Sequence, residues 1–213
     1  MKGNEKMAFP FFTIFFILVI LLALRYHHNK NKQIEGLESF WENEHIANTT
    51  RAKDISNLPY LTIPLEKFPL HFTDDEDVAM LEEQFINLSQ KKLLNLTSMT
   101  NTQLKENYGV VNLATMQNIG ENFNELTILL VDYAKSLMER GMYQQTIPVL
   151  LYGVEIKSDI SSTYTLLGDC YVQTNQSQEI PSLIASSEAL PKLTRQTTIN
   201  YLTNLLSLDE QQS

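Results

Sequence analysis

The first feature of the hydrophobic pattern is an apolar run near the N-terminus. Ala8–Leu24 contains 17 residues and no charged side chain, and as a helix it would be roughly 25 Å long. This is close to the thickness of a bilayer core, and Tyr26 can extend the run to the interface. A cleavable signal peptide would need a small-residue cleavage site, which is missing here, and a buried helix of a soluble protein would show a polar face. The pattern predicts a transmembrane anchor over residues 8–26, after a short tail over residues 1–7.

Helical spacing resumes beyond the basic residues that follow the run. Ile34, Leu37 and Trp41, and less regularly Phe40, predict an amphipathic helix from Gln33 to about residue 47. This helix could lie on lipid, or Trp41 could pack on the domain or on a partner. The opposite face carries several acids, which favours the second interpretation.

A stretch punctuated by prolines comes next and is expected to be extended. Pro59, Pro64 and Pro69 recur every five residues, and each disfavours helix in the residue before it. A solvated linker would be polar, whereas this stretch includes Leu61, Ile63, Leu65, Phe68, Leu70 and Phe72. Residues 27–72 are therefore predicted to hold the juxtamembrane helix and a strap laid along the helical domain.

The rest of the chain has the pattern of a helical domain. A helix is predicted to begin near Asp74, because Thr73 and Glu76 have the spacing of a capping box. Within the domain, residues 73–208, the predicted helices cover residues 74–94, 101–108, 112–120, 124–140, 144–156, 161–174, 177–190 and 192–208. In the last helix Leu193 is expected to face the core and Arg195 the solvent. A polar tail, residues 209–213, follows.

Two parts of this domain repeat one pattern at an offset of 34 residues. Gly141 and Asn175, which both tolerate positive φ, end the two equivalent helices. The recurring positions are Leu130, Tyr133, Ala134 and Leu137, followed by Tyr164, Leu167, Gly168 and Tyr171. The motif Tyr164-x-x-Leu167-Gly168-x-x-Tyr171 resembles the tetratricopeptide repeat, a helix-turn-helix unit of 34 residues. The clearest repeats would cover residues 127–160 and 161–194.

The resemblance implies an all-α fold: a single transmembrane helix followed by a short α-solenoid of helical hairpins. In that family the first helices of the units line a concave face that binds a peptide or a partner helix. The positions that match this face are Val131, Asp132, Lys135, Met138, Glu139, Thr165, Leu166, Asp169, Val172 and Gln173. The chain departs from the family at Thr146, Ile180 and Ser158. The Lys and Asn clamp for carboxylates is also missing, so a basic or mixed apolar ligand is expected. The same ten positions could equally be ordinary solvent-facing ones.

Charge is distributed unevenly along the chain. The 181 residues after position 32 carry 11 basic and 24 acidic side chains, which argues against nucleic acid as a partner. The anchor is flanked by Lys2 and Lys6 before it and by Arg25, Lys30 and Lys32 after it. This small excess of positive charge places the helical domain on the cytoplasmic side. The lone Cys170 excludes an intramolecular disulfide and agrees with that side.

No motif for catalysis, metal binding or nucleotide binding is recognisable. The acidic run that includes Asp75 and Asp77 lacks the alternation and the central Gly of a calcium loop and fits a helix N-terminus. The four histidines show no metal-ligand spacing, and Cys170 lies inside a predicted helix as a packed thiol. We expect no enzyme activity, no cofactor, no metal and no small-molecule substrate.

Two functions remain from the sequence. The first is a membrane-anchored adaptor or scaffold that binds a protein partner on the concave face of its repeats. The second is a structural subunit of a membrane complex that packs through an exposed apolar patch, with the groove unused. The partner's identity is not encoded in any recognisable motif, whereas the bilayer is the expected partner of residues 8–26.

Overall fold

The computed structural model describes residues 8–73 and 75–210, and within this part of the chain the fold is all-helical with no strand. The predicted tail at residues 1–7 and the last three residues of the predicted tail at 209–213 lie outside the described residues. Eight α-helices are described: α1 (Ala8–Thr49), α2 (Glu76–Ser89), α3 (Asn101–Tyr108), α4 (Leu113–Glu139), α5 (Tyr143–Glu155), α6 (Ser161–Gln173), α7 (Ile180–Ser187) and α8 (Lys192–Glu210). The predicted all-α class is confirmed.

Helix α1 joins two elements that the sequence analysis separated. The apolar run and the predicted juxtamembrane helix form one uninterrupted helix of 42 residues. Pro10 falls in its first turn, where a missing N–H costs little, and Gly36 has open space around it. The segment Phe12–Lys30 is long and apolar enough to be a membrane span or a signal anchor, and none of it is buried in the structure.

The chain divides into two compact units, and the smaller one combines the residues up to Lys53 with Asn101–Val111. In this unit α3 packs on α1: the Lys105 ammonium pairs with the Glu44 carboxylate, and the Thr102 hydroxyl donates to Glu44 at 2.7 Å. These hydrogen bonds lower the pKa of Glu44, with that from Lys105 the largest cause. Gly109 ends α3 at φ +86°, where a Cβ would overlap the Arg51 carbonyl oxygen. The predicted limits of this short helix are confirmed.

The larger unit, residues 54–100 and 112–213, contains α2 and α4–α8. Helices α4, α5 and α6 each pack on the next, α4 also contacts α6, and α8 packs on both α6 and α7. One core lies between the strap, α2, α4 and α5, around Phe85 and Tyr133. A second core is built around Tyr164 and Leu167 of α6, with α8 contributing Leu202. Each helix of this unit therefore covers the apolar face of a neighbour.

The proline-punctuated strap runs along this unit in extended form, apart from one 3₁₀ turn at Leu65–Lys67. Ile63 and Phe68 are buried in the first core, and the Phe68 ring packs edge-on against Phe85. The Leu61 N–H donates to the Leu93 carbonyl at 2.9 Å. The strap is thus held by both side-chain burial and backbone hydrogen bonds.

Several predicted helix limits are wrong, each for a physical reason. The N-cap of α2 is Asp75, whose carboxylate accepts from two backbone N–H groups, instead of Thr73. Helix α2 ends at Ser89 instead of residue 94, since Leu93 leaves the helix to pair with the strap. Helix α4 is continuous through Gly120, where a break was predicted. Burial of the stripe that spans this glycine outweighs its cost of about 1 kcal/mol; the stripe comprises Met116, Ile119 and Phe123.

The closing helix α8 also differs from its prediction. Leu193, expected inside, is 91% exposed, and Arg195, expected outside, is partly buried. The buried face of α8 is set by Thr198 and Leu202, and Leu193 lies about 140° around the helix from Thr198. Helix α7 is shorter than predicted and follows a 3₁₀ turn at Ser177–Glu179.

The 34-residue pattern has a counterpart in three dimensions. Gly141 and Asn175 both have positive φ, at +72° and +55°, as predicted. Each is followed by an N–H that bonds back to the carbonyl five residues earlier, which is the Schellman ending of a helix. The donor and acceptor are Met142 and Leu137 at 3.0 Å in one unit, and Gln176 and Tyr171 at 2.7 Å in the other. The eight recurring core positions are all buried. Residues at equivalent positions thus perform equivalent structural roles.

Candidate functional site

The ten predicted partner-binding positions lie on α4 and α6, five on each, and these helices contact one another. Four of them are exposed to solvent: Asp132, Lys135, Glu139 and Gln173. Five are partly buried: Met138, Thr165, Leu166, Asp169 and Val172. Val131 is only 5% exposed, so its side chain belongs to the interior and is not available to a partner.

The exposed charges of α4 are held only weakly by each other. Lys135 Nζ lies 3.4 Å from Asp132 Oδ1, and both side chains are about half exposed. A surface pair three residues apart contributes only about 0.5 kcal/mol or less. Either side chain can therefore exchange this pairing for a ligand at little cost.

The apolar members of the set contribute to the second core. Met138, Leu166 and Val172 pack against its buried cluster with part of their surface. Only their remaining edges face solvent, so the apolar area offered to a ligand is small. Polar contacts would have to supply most of the specificity on this face.

Asp169 is engaged inside the fold. The Tyr201 hydroxyl of α8 donates to Asp169 Oδ1 at 2.7 Å. Burial raises the pKa of the Asp169 carboxyl, and the hydrogen bond opposes this shift. Burial, together with that bond, also raises the pKa of Tyr201 to about 12. The sequence analysis missed Tyr201, although it lies 34 positions after Leu167 and could have been found by extending the repeat offset into α8.

The candidate nucleophile Cys170 is fully buried in α6. Burial, with the neighbouring Asp169 carboxylate, raises the pKa of its thiol to about 12. The thiolate is the reactive form of cysteine, so this thiol has little reactivity near neutral pH. Among the described residues no group of three or more His, Cys, Asp or Glu side chains could hold a metal ion.

A buried carboxylate in the first core was not foreseen. Glu82 of α2 is 3% exposed, and both of its oxygens accept from the His71 backbone N–H at 2.9 Å. The single hydrogen of the Tyr133 hydroxyl lies between Glu82 Oε1 at 3.0 Å and the Pro69 carbonyl at 2.9 Å. His71 itself adopts φ +59° and is exposed at its side chain. We call Glu82, Tyr133 and the backbone of Pro69 and His71 the strap clamp.

The strap clamp has a structural role in this chain. Burial, followed by the Glu82 charge, raises the pKa of the Tyr133 hydroxyl well above its usual value, so it stays a donor. A signal was present in the sequence, because Glu82 lies four residues after Val78 and three before Phe85 on an otherwise apolar stripe. An acid at such a position predicts a buried partner.

The smaller unit offers an apolar surface on α1. Ile34, Leu37, Phe40 and Trp41 are each exposed, Trp41 by 61%. None of these side chains is covered within the described part of the chain, so the structure does not show the packing of Trp41 on the domain.

No family model matches this chain, and no curated protein or solved structure matches it either.

Proposed function

We propose that this chain is a single-pass membrane protein whose helical unit serves as an adaptor for a protein partner. The observation that carries the adaptor proposal is the 34-residue repeat, which recurs in the buried positions and in the Schellman endings after α4 and α6. Repeated helical hairpins bury their apolar faces against neighbours and leave an extended surface free for binding. The tetratricopeptide resemblance is part of this proposal.

The membrane anchor is proposed from α1. Its segment Phe12–Lys30 has 19 residues, a mean hydropathy of 1.5 and no burial. An apolar helix of this length that nothing in the chain covers is unfavourable in water and stable in a bilayer. The charge excess after the span supports a cytoplasmic location of the helical unit. A reporter fused after Ser213 that is active only in the cytosol tests this topology.

The proposed binding surface is the exposed part of the predicted set, on α4 and α6. Asp132, Glu139 and Gln173 offer acceptors, and Lys135 is the one cation among the exposed members. This surface fits a partner segment with basic or mixed polar and apolar side chains. Asp169 is not part of it, because its carboxylate already accepts from Tyr201.

The test is a charge swap on α4. Lys135→Glu combined with Glu139→Lys keeps the net charge and the exposure of both positions, so the fold is retained. Partners captured by the full chain in its native membrane are compared between the wild type and this variant. The matched control is Lys67→Glu with Glu66→Lys, two exposed strap positions far from α4 in sequence. Loss of a partner in the first variant alone supports the surface, and an unchanged set of partners rejects it.

A second function is favoured by the exposed stripe on α1. Ile34, Leu37 and Trp41 would suit a structural subunit that packs into a membrane complex. The strap, which the sequence analysis considered for this role, is already used inside the larger unit. Replacing Leu37 and Trp41 with Gln distinguishes the functions: loss of complex size on gel filtration supports the subunit, and an unchanged size supports the adaptor.

A further inference from the structure

The basic side chains of the larger unit are concentrated in one place. Residues 54–100 and 112–213 contain 19 acidic and only 8 basic side chains. Three of the eight basic side chains, Lys157, Lys192 and Arg195, line a single cleft, together with only one of the nineteen acids, Asp159. A random distribution would place more acids than bases there, so the cleft is a local exception to the charge of its unit.

The cleft lies where three connections meet. It has a volume of about 690 Å³ and is lined by residues that follow α2, residues between α5 and α6, and the α7–α8 connection. Its floor is apolar, with Ala189 and Pro191, and its wall carries Asn95, Thr97 and Ser98. None of the ten predicted positions on α4 and α6 takes part in it.

Two of the cationic residues are fixed in place by the fold. The Asn95 side chain donates to the carbonyls of Ile156 and Lys157, both at 3.1 Å, and Lys157 has φ +57° at the end of α5. The Arg195 guanidinium donates through Nε and Nη2 to the Leu190 carbonyl, at 3.0 and 2.8 Å. This leaves Nη1 of Arg195 for a ligand. Fixed donors lose less entropy on binding than mobile ones.

The cations of the cleft also differ from those elsewhere in the unit. Lys91 and Lys135 lie near carboxylates, Arg140 pairs with Asp75, and Lys92 lies 4.6 Å from the centre of the Tyr60 ring. Lys157 and Lys192 have no such partner among the described residues, although Asp159 lines the same cleft. The charges of the cleft are therefore available to an anion from outside.

We propose that this cleft binds an acidic segment of a partner protein, with Lys157, Lys192 and Arg195 receiving its carboxylates. The apolar floor at Ala189 and Pro191 would contact a small apolar side chain between the acids. This proposal does not depend on the surface of α4 and α6, and it adds a second site of opposite charge preference.

A peptide fits the cleft better than the other anions. Lys157, Lys192 and Pro191 are exposed, so the cleft is open and would leave much of a small ligand in water, whereas small-molecule sites bury most of theirs. An anionic bilayer is disfavoured because the unit carries an excess of eleven acids over bases and would be repelled from its surface. A peptide can follow the cleft and exchange only its own carboxylates with the three cations.

The experiment is a selection from a random 12-residue phage-displayed library against the full chain in neutral-lipid nanodiscs. Enriched peptides are synthesised, and their affinities are measured by fluorescence anisotropy. The test variant is Lys157→Asn with Lys192→Gln, since Asn tolerates the positive φ at position 157. The control is Lys67→Gln with Lys91→Gln, which removes two positive charges outside the cleft. The α4 swap, Lys135→Glu with Glu139→Lys, separates this site from the proposed adaptor surface.

We expect enriched peptides rich in Asp and Glu, with binding at least about 10-fold weaker to the cleft variant and nearly unchanged for the control and the α4 swap. Replacing the acids of the peptide with amides should abolish binding, and added salt should weaken it. Neutral or basic enriched peptides, or equal weakening in the control, would overturn the proposal. Cleft-dependent binding of inorganic phosphate or of anionic nanodiscs, without an acidic peptide, would also overturn it.

Discussion

Replacing Tyr133 with Phe removes one hydroxyl from the strap clamp and leaves the ring in place. The ring is completely buried and packs edge-on against Phe85, contacts that Phe retains. The substitution leaves Glu82 Oε1 and the Pro69 carbonyl without their shared donor, in an interior that water does not reach. The strap should therefore open more often in the variant, while the helices stay folded.

The size of the effect follows from the charge of the acceptor. A hydrogen bond to a charged group contributes about 1.5–3 kcal/mol, compared with about 1 kcal/mol for a neutral pair. We expect a loss of about 2 kcal/mol, which corresponds to roughly a 30-fold increase in the opened strap, at 1.4 kcal/mol per factor of ten. The Glu82 carboxylate keeps its bond from the His71 N–H, so the loss should not reach that of an unpaired buried charge.

The assay is hydrogen exchange by mass spectrometry on the full chain in nanodiscs. Peptides that cover residues 59–72 report the amides of Leu61 and His71, which bond to Leu93 and Glu82. In the variant these amides should exchange about 30-fold faster if strap opening limits exchange. Amides in the middle of α4 should be nearly unaffected.

Tyr152→Phe is the matched control at the other end of the strap. The Tyr152 hydroxyl donates to the neutral Thr62 carbonyl at 3.0 Å, so its loss should cost about 1 kcal/mol and accelerate exchange roughly 5-fold. If Tyr133→Phe has no larger effect on strap exchange than Tyr152→Phe, the Glu82 carboxylate does not anchor the strap through Tyr133, and the reasoning is refuted.

Three further predictions concern α5, α6 and α8, each measured by urea unfolding. The raised pKa of Asp169 means that the folded state binds a proton more readily than the unfolded state. The stability of the wild type should therefore rise, relative to Asp169→Asn, as pH falls from 7 toward the ordinary value of 3.8; a constant difference would contradict this. Lys157→Gly should raise the unfolding free energy by about 0.5–1 kcal/mol, because it relieves φ +57°; a loss of stability would show that the lysine side chain matters more. Gly168→Ala should lower it by about 1–3 kcal/mol, since a Cβ would lie 2.5 Å from Leu202 Cδ2, whereas Gly36→Ala, with nothing within 4 Å, should not.

Helix endings were the most predictable part of this fold. Gly141, Asn175 and the Tyr108-Gly109 pair were recognisable because a residue that tolerates positive φ is required locally, whatever the rest of the chain does. Gly120 was misjudged for the opposite reason: nothing local shows that α4 buries side chains on both sides of it. Leu193 was placed inside by its type, but the register of α8 is decided by Leu202 against α6.

The candidate sites were predictable only as far as one element defines them. The exposed positions of α4 follow from helical spacing, so Asp132 and Lys135 were found on the surface. Contacts between distant segments were not foreseen, as in the bond from Tyr201 to Asp169, because no spacing rule connects α6 with α8. The cleft is of the same kind, since Lys157 and Arg195 meet only through the packing of three connections.

The unbroken helix α1 would also act as a rigid spacer. With Phe12–Lys30 in the bilayer, as proposed, the helix continues for 19 residues to Thr49, which is about 28 Å along its axis. A helix of this kind transmits height and rotation, which a flexible linker would lose. The position of α3, which is fixed to α1 through Glu44 and Lys105, would then be set at a defined distance from the membrane surface. Inserting two residues in α1 would turn α3 by about 200° around the helix axis, whereas inserting seven would mainly raise it by about 10 Å.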